Sequence, residues 1–338
     1  MPEASSGPIV VASCVDAGYL PLALVVANSI ARHADPPRAV EYHVLYDGPD
    51  HWAVDMLVAF AKGTVTVRLH RLTNPWNRFG VINGFPPSTF FRFAIPDVLA
   101  GYERAIYLDC DLMVEADLGP LFDTDLIDHP IGAVPCVLTI AAALRNGVAR
   151  SGGELVRAAD YFRDVLGLDT EQRVLSYRQC GVLLLDLNAL RRMDYAAQMS
   201  AVVDRLGDRL AYCDQCAANL LLRERFADID PRWNIAPYAM HRPAPDNAPP
   251  QLRQLLQRQQ HVRGIVHVGG EKPWSDLLMP GALRWWGYAL TSPGARYFLA
   301  RLVGVRPNLR IGLRHLSYSI PALRRLADWL RTRARKAS

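Results

Sequence analysis

The chain has 338 residues, of which half are hydrophobic and 21% are charged, a composition that excludes a disordered chain. Its longest early charge-free run, residues 17–31, is shorter than the ~20 residues that a membrane-spanning helix needs. No basic residue precedes Arg32, so the positive start of a secretory signal is missing. We therefore expect a cytoplasmic protein.

The net charge of +5 is unevenly distributed. From Arg301 onward ten basic residues accompany one acid, whereas residues 1–300 carry 28 basic and 32 acidic residues. Because the body is close to neutral, we expect no nucleic-acid partner. The tail, with Leu323, Leu326 and Leu330 at helical spacing, is typical of a terminal helix packed on the domain. It is equally typical of a peripheral anchor on the inner face of the cell membrane.

Strands alternate with helices through the first third of the chain. The predicted strands are residues 9–14, 42–46, 64–69 and 104–109. The predicted helices are residues 20–31, 52–60 and 88–99, the last broken or kinked at Pro96. This alternation indicates an α/β fold with a Rossmann-like, mostly parallel sheet covered by helices on both faces.

The alternation weakens over residues 139–173 and then resumes. The predicted elements are strands at residues 181–186 and 264–268 and helices at residues 187–206 and 214–223. Beyond residue 275 the strand pattern disappears, and Trp, Arg and Leu dominate. The sequence therefore predicts a sheet-based domain at residues 1–275 and a helical, basic C-terminal region at residues 276–338.

The six cysteines are scattered, which favours reduced thiols over a disulfide framework. Cys213 and Cys216 have the spacing of a zinc or redox pair, but no second pair accompanies them. A helical sequence continues from them, so buried helix cysteines are the favoured interpretation.

Two acids lie at the end of the predicted strand at residues 104–109, and open α/β sheets bind ligands at the carboxyl ends of their strands. In extended geometry Asp109 and Asp111 point the same way, and Cys110 points away. A divalent cation that holds a diphosphate would offset their charge. An ordinary acidic turn is the simpler alternative.

A second strand end carries His267, Gly269, Gly270 and Lys272. The glycines let backbone amides approach an anion closely, and the lysine can pair with a phosphate. An imidazole added to two carboxylates shifts metal preference from Mg²⁺ toward Mn²⁺. The alternatives are a histidine of the core and a solvated surface lysine.

The first strand end offers Ala12 and Cys14, then Asp16 and Tyr19 just before a helix. The backbone there could contact the edge of a nucleobase, and Tyr19 could stack on the base. An ordinary loop in which Asp16 caps the helix is the alternative.

Taken in chain order, these segments resemble family 8 glycosyltransferases over residues 9–275. That family is a retaining, metal-dependent group with the GT-A fold, and it includes bacterial lipopolysaccharide galactosyl- and glucosyltransferases and glycogenin. The resemblance rests on Asp16-x-x-Tyr19, residues 88–96 around Arg92, Asp109-x-Asp111, residues 181–187, Asp214-Gln215, residues 232–234, and His267 with Lys272-Pro-Trp274.

The resemblance implies transfer of galactose or glucose from a UDP-sugar to a saccharide, glycolipid or natural-product acceptor. It implies that Asp109, Asp111 and His267 coordinate Mn²⁺, with Mg²⁺ as the alternative ion. Lys272, with the amides of Gly269 and Gly270, would stabilise the departing phosphate. The other implied contacts are Arg92 with phosphate or sugar, Tyr19 with uracil, Gln179, Asp214 and Gln215 with the transferred sugar, and Ala12, Cys14, Asp16 and Cys110 elsewhere along the nucleotide sugar.

Two positions depart from the family pattern. Gln179-Cys180-Gly181 stands where Asn-Ala-Gly is usual, which leaves the sugar open. Cys14-Val15-Asp16 replaces a loop that commonly has adjacent acids, which weakens the assignment of uracil. For retention we favour front-face attack over a covalent intermediate, with Asp214 or Gln215 as the nearby groups.

Two other functions remain as alternatives. A sugar-phosphate nucleotidyltransferase shares the topology, but it would have an arginine in a glycine-rich first loop, and residues 13–19 contain no arginine and one glycine. A non-catalytic membrane-surface or carbohydrate-binding protein on a degenerate scaffold would have no reason to keep Asp109, Asp111, His267 and Lys272 together.

Overall fold

The computed structural model describes residues 7–35, 38–144, 147–237, 248–260, 262–270, 272–305 and 307–308. The strands are β1 Ile9–Val15, β2 Val40–Tyr46, β3 Ala61–Lys62, β4 Val65–Arg71, β5 Arg104–Leu108, β6 Leu112–Val114, β7 Ile131–Ala133, β8 Val148–Ser151, β9 Glu154–Arg157, β10 Val182–Asp186, β11 Phe226–Asp228 and β12 Ile265–His267.

Thirteen α-helices and four 3₁₀ helices lie in the described part of the chain. The α-helices are α1 Leu20–His33, α2 Trp52–Val58, α3 Ile95–Val98, α4 Gly119–Phe122, α5 Val137–Leu144, α6 Ala158–Asp164, α7 Glu171–Leu175, α8 Leu187–Arg192, α9 Tyr195–Leu206, α10 Cys213–Leu222, α11 Pro250–Arg258, α12 Ala282–Ala289 and α13 Ala295–Gly304. The 3₁₀ helices are Pro75–Phe79, Pro87–Ala94, Gly207–Arg209 and Pro231–Asn234.

The central sheet has eight strands in the order β11-β7-β10-β5-β1-β2-β4-β3. β1 pairs in parallel with β2 and β5, and β2 pairs in parallel with β4. β10 runs antiparallel to both β5 and β7. Since β1 is the first strand and lies between β2 and β5, the chain reverses its direction of winding there, and such a switch point is where these sheets bind ligands. The predicted α/β fold with a mostly parallel sheet is confirmed.

The apolar runs of the sequence form the centre of this sheet. Six of the seven residues of β1 are buried, as are all but one of β2, so both faces of these strands are covered. Runs of Val, Ile and Leu favour strands that are buried on both faces, since branched side chains pack well on a pleated surface.

Two predicted helices differ from the observed ones. Residues 88–99 form the 3₁₀ helix Pro87–Ala94 followed by α3, and Pro96 lies in the first turn of α3, where its missing N–H costs little. Residues 187–206 form α8 and α9, with a break at Asp194, whose φ is 50°. The region at residues 139–173, where the pattern weakens, contains the hairpin of β8 and β9 and three short helices.

A second, two-stranded sheet joins distant parts of the chain. β6 pairs antiparallel with β12, and Leu112 lies opposite His267. The amide of Val268 then donates to the carbonyl of Asp111, at 2.9 Å. This pairing places the end of β12 beside the residues that follow β5.

The helices beyond residue 275 pack on the N-terminal half of the sheet domain. Asn28 Nδ2 of α1 donates to the carbonyl of Tyr288 in α12 at 2.9 Å, and the Trp52 ring lies 4.8 Å from that of Tyr297 in α13. The predicted tail helix with Leu323 falls outside the described residues. No helix in the described ranges has both the length and the apolar character that a membrane crossing requires.

Candidate functional site

A cavity of about 630 Å³ opens at the carboxyl ends of β1 and β5. Its volume falls within the ~300–1,000 Å³ typical of small-molecule sites. Of the predicted site residues, those that line it are Cys14, Asp16, Tyr19, Arg92, Asp109, Cys110, Asp111, Gln179, Asp214, Gln215, His267, Gly269, Gly270 and Lys272. Ala12 does not line it, because its side chain is fully buried within β1.

Asp109, Asp111 and His267 converge on one side of this cavity. His267 Nε2 lies 3.1 Å from Asp111 Oδ1 and 3.7 Å from Asp109 Oδ2. One ligand atom from each of the three residues can be chosen so that all lie within 4.8 Å of one another. Among the described residues, no other group of three His, Cys, Asp or Glu side chains meets this condition.

Glycine at position 181 allows this convergence. The Asp109 amide donates to the Gly181 carbonyl at 2.8 Å, so the backbone of residue 181 lies directly beside the cluster. A Cβ on residue 181 would overlap the His267 ring and the Asp109 carboxylate. Gly181 stands at the start of a predicted strand, but nothing local in the sequence indicates this close approach.

Lys272 contacts the Asp111 carboxylate oxygen that His267 does not, and its Nζ lies 3.3 Å from the Val268 carbonyl. The loop that carries it is held by α12. Trp286 Nε1 donates to the Pro273 carbonyl at 3.0 Å, and the Trp274 ring lies 5.1 Å from that of Trp285. The bulky residues beyond residue 275 therefore support the loop that bears Lys272.

The charges in this half of the cavity keep the Asp111 carboxylate ionised. Burial raises the pKa of Asp111, but Lys272 and His267 outweigh it and hold that pKa well below its usual range. Burial lowers the pKa values of His267 and Lys272, but Asp111 raises both above their ordinary values. Two carboxylates and one imidazole nitrogen are the donors that Mn²⁺ and Mg²⁺ accept, so the residues fit a divalent cation.

Arg92 connects this cluster with Asp214. Its Nη2 lies 3.0 Å from Asp109 Oδ1, and its Nη1 lies 3.0 Å from Asp214 Oδ2 and 2.9 Å from the Cys180 carbonyl. The guanidinium carbon lies 4.5 Å above the centre of the Tyr107 ring. The side chain thus bridges two carboxylates, and the phosphate or sugar contact expected of it remains a prediction.

Asp214 and Gln215 lie in the first turn of α10, on the other side of the cavity. Burial raises the pKa of Asp214 to about 6, although Arg92 opposes the shift. Gln215 Oε1 accepts from the Cys180 amide at 3.2 Å, and its Nε2 donates to the Tyr177 hydroxyl at 3.1 Å. Hydrogen bonds to Tyr177 and Cys180, which precede β10, thus fix the Gln215 side chain, and the ion pair with Arg92 fixes Asp214.

Gln179 and Asn234 lie next to His267. Asn234 Oδ1 is 3.2 Å and Gln179 Nε2 is 3.1 Å from His267 Nδ1. The resemblance includes Asn234 but assigns it no role. Its position follows from the bridge between Ile235 and Val266, a tertiary contact that leaves no local signal in the sequence.

The residues after β1 form the far end of the cavity. Asp16 Oδ1 accepts from the Tyr19 amide at 3.0 Å, and Asp16 Oδ2 accepts from the Ser88 hydroxyl at 2.9 Å. The Tyr19 ring is 36% exposed and meets Trp274 edge-on, with 6.0 Å between the ring centres. Asp16 thus orders the turn before α1, and sequence reasoning missed Ser88 as its partner.

Five of the six cysteines are buried, and two of these contact tyrosine hydroxyls. Cys110 Sγ lies 3.8 Å from the Tyr42 hydroxyl. Cys216 Sγ accepts from Tyr161 at 3.0 Å, and all six cysteines are free. Cys213 and Cys216 both lie in α10, as the favoured interpretation of that pair predicts.

The sequence matches the model of the family described as "Glycosyl transferase family 8" over residues 10–277. The chain belongs to this family. Membership confirms the resemblance and assigns glycosyl transfer to the chain.

Two curated relatives are similar over most of the chain. General stress protein A of Bacillus subtilis is 22% identical over 272 residues, which cover 79% of this chain and 87% of the relative. Glycosyltransferase GlyA of Streptococcus pneumoniae is 24% identical over 273 residues, which cover 80% of this chain. The matched part is only 33% of GlyA, so GlyA is a much longer protein.

Two solved structures share the fold. The galactosyltransferase LgtC, in complex with donor and acceptor sugar analogues, superposes with a TM-score of 0.68 and 24% identity over 84% of this chain and 96% of LgtC. The bifunctional glycosyltransferase WbbM gives a TM-score of 0.72 and 22% identity over 89% of this chain and 52% of WbbM. The family 8 chain thus has the GT-A fold that the resemblance implies.

Proposed function

We propose that the chain is a retaining, metal-dependent hexosyltransferase that moves galactose or glucose from a UDP-sugar to a carbohydrate-type acceptor. The observation that carries this proposal is the convergence of Asp109, Asp111 and His267 beside Lys272, at the wall of a cavity of about 630 Å³. Family membership supports glycosyl transfer, and the chemistry of these four side chains supports the donor class.

The leaving group determines the first half of the mechanism. Breaking the bond between the anomeric carbon and the phosphate oxygen leaves negative charge on a diphosphate. A cation held by Asp109, Asp111 and His267 would neutralise that charge as a Lewis acid. Lys272, Gly269 and Gly270 line the same cavity, and the Lys272 ammonium and the two glycine amides would donate to the departing phosphate.

The sugar determines the second half. As the bond breaks, positive charge develops on the sugar ring, and oxygen atoms beneath the ring stabilise it. Asp214 and Gln215 line the cavity beyond Arg92 and are the groups that we assign to this role. We assign front-face attack by the acceptor, since the Asp214 carboxylate is tied to Arg92 at 3.0 Å and is a poor nucleophile in that pairing.

The nucleoside belongs at the end of the cavity formed by Cys14, Asp16 and Tyr19. The partly exposed Tyr19 ring offers a face on which a base can stack. The ordered turn at Asp16 holds that ring in place through its hydrogen bond to the Tyr19 amide. We assign residues 1–275 to donor and acceptor binding and assign the described helices beyond them to support of the Lys272 loop.

A panel of nucleotide sugars tests the proposal. The purified chain is incubated with UDP-, GDP- and ADP-sugars, with Mn²⁺, Mg²⁺ or a chelator, and nucleoside diphosphate release is followed. We expect UDP release from UDP-galactose or UDP-glucose that depends on the metal, and retention of anomeric configuration in the product by NMR. Inversion would contradict the retaining mechanism. Formation of UTP and sugar 1-phosphate with pyrophosphate would instead assign a nucleotidyltransferase.

A further inference from the structure

His267 presents its two ring nitrogens to different surroundings. Nε2 faces the carboxylates of Asp111 and Asp109, at 3.1 and 3.7 Å. Nδ1 faces two carboxamides, with Asn234 Oδ1 at 3.2 Å and Gln179 Nε2 at 3.1 Å. The ring is 6% exposed, so protein atoms rather than bulk water supply these contacts.

The orientation of both carboxamides is fixed by a chain of hydrogen bonds. The Gly181 amide donates to Gln179 Oε1 at 2.5 Å, and a backbone N–H can only donate, so the Gln179 oxygen must face it. Asn234 Nδ2 donates to the same oxygen. Because Asn234 Nδ2 makes this hydrogen bond, Asn234 Oδ1 points toward the His267 ring.

The backbone of Asn234 is held equally firmly. The next residue, Ile235, donates its amide to the Ile265 carbonyl at 2.8 Å and accepts from the His267 amide at 2.9 Å. The Asn234 carbonyl accepts from the buried side chain of Gln259 at 2.9 Å. Asn234 and His267 therefore keep a fixed spacing, as a positioning contact requires.

We infer that Gln179 and Asn234 form a positioning pair for His267, so that Gln179 serves the candidate cation site rather than the transferred sugar. This inference rests on the proposed function, because it needs a cation at Asp109, Asp111 and His267. A neutral imidazole that binds a cation through Nε2 carries its proton on Nδ1, and ligating histidines donate that proton to an acceptor. Asn234 Oδ1 is that acceptor.

Gln179 has two functions in this arrangement. Its oxygen fixes the Asn234 amide in the orientation that accepts from Nδ1. Its nitrogen donates to Nδ1 when the ring carries its proton on Nε2 and donates to Asp111. The ring therefore finds a partner for Nδ1 in both neutral tautomers.

Mn²⁺ binding to the full-length protein without nucleotide tests the inference, with the free ion followed by electron paramagnetic resonance. Asn234→Ala removes the acceptor, and we expect its Mn²⁺ affinity to fall by about 10- to 100-fold, the usual cost of losing such a partner. Gln179→Ala should weaken binding in the same direction. Asn234→Asp and Gln179→Glu keep the accepting oxygens, and we expect them to retain most of the wild-type affinity.

The matched control is Gln198→Ala, which removes an exposed amide on α9 that does not line the cavity and should leave Mn²⁺ affinity unchanged. Thermal unfolding of every variant separates lost positioning from lost folding. If Asn234→Ala does not fold, the comparison of Gln179→Ala with Gln179→Glu tests the inference.

Undiminished Mn²⁺ binding by folded Asn234→Ala and Gln179→Ala would overturn the inference and leave the proposed function intact. An altered donor-sugar preference of Gln179→Ala at unchanged Mn²⁺ affinity would overturn it too. Failure of the wild type to bind Mn²⁺ would instead contradict the cation in the proposed function.

Discussion

The two sides of the cavity differ in how their charges are arranged. Asp111 on one side lies between Lys272 and His267, and its pKa is held well below the usual range. Asp214 on the other side is buried with Arg92 as its cationic partner, and its pKa is raised to about 6. The side with Asp111, called the first side below, is suited to binding charges that are present throughout a reaction. The side with Asp214, called the second side, is suited to stabilising a charge that develops only as a bond breaks.

The largest expected effect comes from Asp111→Asn. It removes an anionic ligand and leaves Lys272 and His267 without their shared carboxylate, so we expect Mn²⁺ binding to be lost. Transfer should slow by about 10³-fold, equivalent to about 4 kcal/mol. Mn²⁺ titration and UDP release measure the two effects. Asp164→Asn, at an exposed carboxylate paired with Arg163, is the control and should resemble wild type. Normal Mn²⁺ affinity in Asp111→Asn would remove the distinction between the two sides.

Lys272→Ala should reduce kcat by about 10²-fold, since one donor to the departing phosphate is lost. Unlike the aspartate variant, it should keep or increase its affinity for Mn²⁺, because the ammonium no longer competes for Asp111. Steady-state kinetics and Mn²⁺ titration separate these results. A fall in Mn²⁺ affinity would show that the lysine organises the ligands rather than the leaving group.

Gly181→Ala tests how tightly the first side is packed. The added methyl group would overlap the His267 ring and Asp109, so we expect Mn²⁺ affinity to fall by about 10- to 100-fold. Gly287→Ala in α12, where a Cβ meets no atom within 4 Å, is the matched control and should bind Mn²⁺ normally. Equal affinities in the two variants would contradict the close approach.

Asp214→Asn tests the second side through the pH dependence of stability. The Asp214 carboxyl holds its proton more tightly in the folded chain, with a pKa of about 6, than in the unfolded one. Its ionisation therefore lowers the free energy of unfolding as the pH rises from about 4 to 6, by on the order of 3 kcal/mol. The asparagine variant lacks this decline, so urea unfolding should show it gaining stability relative to wild type over that range.

Asp204→Asn provides a comparison of opposite sign. Arg78 lowers the pKa of this exposed carboxyl, so the wild type, not the variant, should gain slightly as the pH rises. Parallel profiles for wild type and Asp214→Asn would mean that the Asp214 carboxyl is not perturbed.

The smallest expected effect lies outside the cavity. Asp186 follows the apolar residues of β10 and caps α8, where its Oδ1 accepts from the Ala189 amide at 2.8 Å. Asp186→Ala should cost about 1 kcal/mol of folding stability, the usual value for such a cap, and leave Mn²⁺ affinity unchanged. Asp186→Asn should restore most of the loss in urea unfolding. A loss of Mn²⁺ affinity in the folded alanine variant would contradict this expectation, because it would show that the cap of α8 influences the candidate cation site.

The sequence predicts the first side of the cavity better than the second. Asp109 and Asp111 follow an apolar strand with the period of two that directs them to one side. His267 and Lys272 lie on either side of Gly269 and Gly270, a pair of glycines that indicates the end of a strand. Each signal is local, and each lies at the end of a strand. Asp109 follows β5 of the central sheet, at the edge where such sheets bind ligands, and His267 ends β12 of the antiparallel two-stranded sheet.

Contacts between distant segments account for what the sequence does not predict. The bridge from Arg92 to Asp214 and the contact of Asn234 with His267 depend on which elements pack together. The 3₁₀ helix Pro87–Ala94 has the apolar spacing of an α-helix, so tertiary packing decides between the two. The division at residue 275 and the role of the basic tail remain predictions.

Because β12 pairs with β6 and comes late in the chain, the candidate site is completed only after all strands of the central sheet have been synthesised. All eight strands of the central sheet have been synthesised by Asp228, yet the histidine that faces Asp111 lies 156 residues after that aspartate. A nascent chain on the ribosome can therefore assemble its central sheet while the cavity still lacks His267 and Lys272. Acquisition of Mn²⁺ affinity during refolding would accordingly report closure of this long loop rather than formation of the sheet.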